Sequence, residues 1–118
     1  ELTVDLVNEL ALPYSNSRMA TNGGVILQVN AKRNIFVNVD VIGNMNNPNT
    51  FPKVRSKLSE IYKEKLAKLE SKGEKVKKDQ LINFVFDRSL KFKDIDKIMN
   101  VTSDVGYSKY KLIIQAEE

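Results

Sequence analysis

Between residues 25 and 116 the spacing of apolar side chains alternates between a strand period and a helix period, and this limits the folds open to the chain. VILQVNA (25–31) and IFVNVDVI (35–42) are β-branched runs, and Lys32, Arg33 and Asn34 between them read as the turn of a hairpin. GNMNNPNTFP (43–52) reads as a loop. Val54, Leu58, Ile61, Tyr62, Leu66 and Leu69 then recur at helical spacing, which predicts a helix over 53–70. SKGEKVKKD (71–79) is a charged break, and QLINFVF (80–86) is almost continuously apolar, as a central strand should be. Phe92, Ile95, Ile98, Met99, Thr102 and Val105 trace a second helix, with Gly106 as its left-handed C-terminal cap. KYKLIIQA (109–116) is the last strand.

The expected order is therefore β-β-α-β-α-β. It predicts an α+β domain with two helices packed on one face of a mixed four- to five-stranded sheet. The final β-α-β unit should be a right-handed parallel crossover. An extra strand is expected at the N-terminus. In ELTVDLVNELALP (1–13), every second residue from Leu2 is large and apolar except Asn8, and Pro13 ends the pattern. This divides the chain into an extended strand or tether (1–13), a small polar linker YSNSRMATNGG (14–24) and a folded domain (25–118).

The chain has 118 residues and contains no His and no Cys. Ser-His-Asp and Cys-His catalysis and His/Cys zinc sites are excluded. Gly23-Gly24 is a turn rather than a phosphate-cradling loop. Asp94 and Asp96 fall on different faces of the second helix and read as solvated carboxylates rather than an acid/base pair. No catalytic residue, metal ligand or cofactor is therefore expected, and the chain is not read as an enzyme.

The net charge of +4 has a local source: residues 53–78 hold ten Lys/Arg against four Glu. An anion-facing patch for nucleic acid, phospholipid or cell-wall polymer is one reading. The interspersed glutamates favour an ordinary solvated helix; Glu64 and Lys68, for instance, form an i,i+4 pair of opposite sign. Nucleic acid is not expected as a partner, because the aromatics fall mostly on core stripes rather than on an exposed stacking surface. The Asn100-Val101-Thr102 sequon lies inside a predicted helix and is discounted.

The last third, FDRSLKFKDIDKIMNVTSDVGYSKYKLIIQ, resembles the C-terminal half of the ExbD/TolR family. Asp87 matches its acidic position, with Phe92 five residues on in place of the usual tyrosine. Ile95, Ile98 and Met99 match the helix, Gly106, Tyr107 and Lys109 the Gly-Tyr-x-Lys ending, and Leu112, Ile113 and Ile114 the final strand. VILQVNAKRNIFVN is similar to the family's first hairpin, and LALP to the stretch just outside its membrane helix. Lys32 replaces a common aspartate, Val85-Phe86 replace a common Arg-Ala, and residues 53–79 form a longer segment than usual.

The resemblance implies the periplasmic domain of an energy-coupling subunit of the bacterial inner membrane. The family's membrane helix, with its proton-carrying aspartate, would lie outside this piece. A homodimer, an ExbB- or TolQ-like channel subunit and a TonB-like partner peptide are the implied associates; a TolR-like grip on peptidoglycan is the alternative. The partner-binding residues implied are Leu10, Leu12 and Pro13 of the tether, with Gly106, Tyr107 and Lys109. The tether and a partner peptide would compete for one sheet edge. A basic nucleic-acid-binding module is the remaining, different reading.

Overall fold

In the computed structural model, residues 2–6, 24–75 and 80–116 are described, the first of these ranges as backbone only. The elements are β1 (Leu2–Leu6), β2 (Val25–Val29), β3 (Asn34–Val37), β4 (Asp40–Asn44), α1 (Thr50–Ser71), β5 (Leu81–Asp87), α2 (Phe92–Val105) and β6 (Lys109–Ala116). They form one six-stranded mixed sheet in the order β1-β6-β5-β2-β3-β4. β1, β6, β5 and β2 run parallel to one another, and β3 and β4 follow antiparallel on the other side of β2. The α+β architecture is as expected, with a higher strand count.

Alternation along the strands builds the core. Val25, Leu27 and Val29 stand in register with Ile82, Phe84 and Phe86 of β5, and all six are buried. Phe51, Val54 and Leu58 of α1 and Ile98 and Val101 of α2 pack on this same set, so both helices cover one face. Full burial of a side chain such as Leu58 or Phe84 stabilises the fold by about 1.5–3 kcal/mol. The other face holds a smaller buried group, Ile26, Val85 and Ile113. β5 is thus apolar on both faces, which is why its sequence does not alternate.

The run 35–42, expected as one strand, is two. Asn38 breaks it in a left-handed conformation, φ 56°, which asparagine tolerates better than branched residues. Its side-chain Oδ1 accepts the Ile26 N–H at 3.1 Å, and its own N–H donates to the Ile26 carbonyl at 2.7 Å. The expected loop 43–52 is trimmed at both ends: β4 runs to Asn44 and α1 begins at Thr50. There the Thr50 hydroxyl donates to the Asn44 carbonyl at 2.8 Å, closing the connection. Phe92, placed on the second helix's apolar stripe, opens α2 instead and is 82% exposed.

Candidate functional site

The end of α2 and the start of β6 bring three sequence-predicted residues together. Gly106 terminates α2 with φ 121°, a conformation L-side chains avoid. Its N–H donates to Ser103 O at 3.0 Å and that of Tyr107 to Thr102 O at 3.1 Å, so backbone donors serve two carbonyls of the last turn. Gly106 O and Lys109 N–H each bond Gln80, fixing the start of β6 beside β5. Lys109 is exposed at that strand's first position, opposite Leu81. Leu10, Leu12 and Pro13 lie outside the described residues.

Tyr107 is 3% exposed and packs edge-on against Tyr62 of α1, ring centroids 6.1 Å apart. Its hydroxyl is buried with no hydrogen-bond partner among the described residues. Burial, helped by the neighbouring Tyr62, pushes its phenol up to about 12, so it stays a neutral O–H donor. Tyr107 also lines a cleft of about 240 Å³ between α2 and β6. Phe84 and Tyr110 supply its aromatic wall, their rings 5.9 Å apart, and Asp96, Asn100 and Ser103 its polar wall. Tyr110 is half exposed.

β1 lies beside this cleft, seated parallel on β6 with Leu2 opposite Leu112, Val4 opposite Ile114 and Leu6 opposite Ala116. These β6 positions share the register of Phe84 and Phe86, the helix-covered face. β6 starts three positions earlier in the pairing, so Tyr110 lies beyond the described span of β1. The arrangement offers an edge with main-chain hydrogen-bonding groups, flanked by an aromatic and amide-lined cleft. It can hold an extended segment.

Asp94 corrects the reading of solvated helix carboxylates. It is buried in the first turn of α2, and Arg33 of the β2–β3 turn donates to it, Nη1 to Oδ2, at 2.9 Å. That hydrogen bond holds the Asp94 carboxyl below its ordinary value and raises Arg33. Arg33 sits at φ 68° and also donates from Nε to Asn46 at 3.0 Å. Asp96 is exposed on another part of the helix surface, so the two carboxylates do not converge. Asp87, the acidic position of the resemblance, caps the turn after β5: its Oδ2 accepts the Ser89 N–H at 2.9 Å and the Ser89 hydroxyl.

On the basic segment, Arg55 pairs with Asp104 at 3.3 Å and Lys57 with Asp40 at 3.1 Å. Among the described residues no group of three His, Cys, Asp or Glu could hold a metal ion, and no helix is long and apolar enough to cross a membrane. The chain matches no protein-family model, and no curated protein or solved structure gives a significant match.

Proposed function

We propose that this chain is the periplasmic domain of an ExbD-like energy-coupling subunit that receives an extended segment of a TonB-like partner at the β6 edge. The observation that carries the reading is β1: an apolar-alternating segment of the chain's own N-terminal region seated as a parallel outer strand on β6. An edge that accepts Leu2–Leu6 offers main-chain pairing to any strand of similar pattern, because such pairing is sequence-tolerant. The adjoining cleft, with Tyr107 and Tyr110, gives that edge side-chain selectivity.

In this reading the full-length protein resides in the bacterial inner membrane, works with an ExbB- or TolQ-like channel subunit, and pairs as a homodimer. The domain binds and transmits force; it does not catalyse. The cell-wall and nucleic-acid alternatives draw on the basic segment, whose Arg55 and Lys57 are already ion-paired within the chain.

The test is a calorimetric titration of an extended TonB-like linker peptide into the full chain and into the chain lacking residues 1–6. Removal of β1 frees the edge, so the truncated chain should bind the peptide more tightly. Equal affinities, or no binding to either, would refute the shared edge.

A further inference from the structure

The end of the sheet at which β2 and β5 finish carries an inference that does not rest on the reading above. Three connections meet there: the β2–β3 turn, the stretch from β4 to α1 and the stretch from β5 to α2. Hydrogen bonds tie them into one tip. Arg33 reaches from the turn to Asp94 of α2 and to Asn46, and Asn44 Nδ2 donates to the Lys32 carbonyl at 2.9 Å. Phe92 projects from this tip, 82% exposed. The core does not need its ring, because Leu90 and Ile95 to either side both pack on the core, as in a hydrophobic staple. Lys32, Arg88, Lys91 and Lys93 are exposed at the same tip and form no ion pair among the described residues. Asp87 and Asp94 are buried there and already accept hydrogen bonds from Ser89 and Arg33, and Asp96 lines the cleft beside β6. Even counting Glu117 and Glu118, which follow β6 outside the described residues, two free carboxylates stand against four free cations.

We infer that this tip docks on an anionic phospholipid surface, with Phe92 entering the interface and the four cations meeting the headgroups. An aromatic ring set among Lys and Arg matches both layers of such a surface: the ring takes the boundary with the acyl chains and the cations take the phosphates. Shape favours a bilayer over an acidic peptide. A peptide needs a groove or a sheet edge to hold its backbone, whereas Phe92 stands clear of both the α2–β6 cleft and the groove between β4 and α1. Single-stranded nucleic acid stacks successive bases on successive rings. The other exposed aromatic, Tyr110, lies at the start of β6, at the opposite end of the sheet, so no row of rings is present. The tip also lies at the end of the sheet away from the start of β1.

Co-sedimentation of the full 118-residue chain with vesicles tests this. The chain should bind vesicles of phosphatidylglycerol and phosphatidylcholine, release them as salt is raised, and leave vesicles of phosphatidylcholine alone unbound. Lys91→Gln and Lys93→Gln should each lower the partition coefficient about fivefold, and Phe92→Ser at least about tenfold. Lys68→Gln with Lys72→Gln removes the same charge as the Lys91/Lys93 pair from the far end of α1 and should leave binding nearly unchanged. The chain has no tryptophan, so Phe92→Trp gives a single reporter. Its emission should move to the blue on the anionic vesicles and be quenched by brominated acyl chains. A wild type that ignores anionic vesicles, equal binding to neutral ones, an equal loss from the Lys68/Lys72 pair, or an unmoved Trp emission would each overturn the proposal. Phe92-dependent binding of oligothymidylate by a chain that leaves the vesicles unbound would overturn it too, and assign the tip to nucleic acid.

Discussion

Replacing Asp94 by Asn removes one charge at a buried position and keeps the side chain's size. The carboxylate accepts the Arg33 guanidinium at 2.9 Å, with side-chain exposures of 12% for Asp94 and 33% for Arg33. A hydrogen bond to a charged group contributes about 1.5–3 kcal/mol when well buried, and an exposed ion pair about 0.2–1 kcal/mol. Because Arg33 is one-third open to solvent, the expected loss is about 1–2 kcal/mol, including a few tenths from the helix dipole acting on a first-turn carboxylate. The folded carboxyl sits below its ordinary 3.8, chiefly through the Arg33 hydrogen bond. Its contribution is therefore fully present above that value and lost as the pH falls through the folded value. Thermal melts at neutral pH should show Asp94→Asn about 4–8 °C below wild type, and the gap should close under acid. Arg33→Ala and the double variant complete a cycle that isolates the pair. A gap that persists unchanged in strong acid, or additive single losses, would refute the claim that this ion pair fastens the hairpin turn to α2.

Two further outcomes follow from packing and burial. Tyr107→Phe removes a buried hydroxyl with no described partner, so stability at neutral pH should be unchanged or rise by up to about 1 kcal/mol. In wild type, burial raises this phenol to about 12, so stability should fall as the pH climbs above the ordinary 10; Tyr107→Phe should blunt that fall in alkaline denaturation. Gly43→Ala places a Cβ 2.5 Å from the Thr50 hydroxyl oxygen and 3.0 Å from its methyl, so a urea titration should show a loss of about 1–3 kcal/mol, partly recovered by Thr50→Ala.

The strand and helix order was legible because hydrophobic period reports which faces are buried. β5 could be read as central from QLINFVF because it is covered on both sides, and Leu58 and Ile98 fell on the correct faces of their helices, while the buried Val101 lay outside the expected stripe. Breaks that depend on a single residue's backbone were not legible. Asn38 divides IFVNVDVI by turning left-handed and bonding Ile26, and the alternation continues through it undisturbed. Phe92 shows the converse: an aromatic at the right spacing for the stripe lies at the helix's open end, ahead of the first buried position, Asp94. The Arg33–Asp94 pair joins residues 61 apart in sequence, and no local pattern foretells such a contact. Gly106, Tyr107 and Lys109 do cluster, because a helix end followed directly by a strand holds them within a few residues. Phe84 and Asn100 join Tyr107 and Tyr110 only through the packing of β5 and α2 beside β6.

The proposed exchange at β6 sets a limit on how strong β1 docking can be. β1 is part of the same chain, so its docking is intramolecular, and short tethers give effective concentrations on the order of millimolar. A peptide arriving from a separate molecule at micromolar levels would need to bind about a thousandfold more tightly than β1 does intrinsically to displace half of it. Two features of β1 keep that requirement modest: the pairing is only five residues long, and it is parallel, which is the weaker ladder per residue. A competing strand gains further where β1 does not reach, since the described pairing of β1 begins at Leu112 and leaves Tyr110 and the cleft beside it outside its span. An incoming segment that continued past Leu112 toward Lys109 would pair with more of β6 and bury Tyr110 as well, whose fully exposed-to-buried transfer is in the range of about 1.5–3 kcal/mol and which already stands half exposed. Displacement is then driven by the greater length of edge covered, and the cleft residues, rather than the β1 register itself, decide which segment can do it.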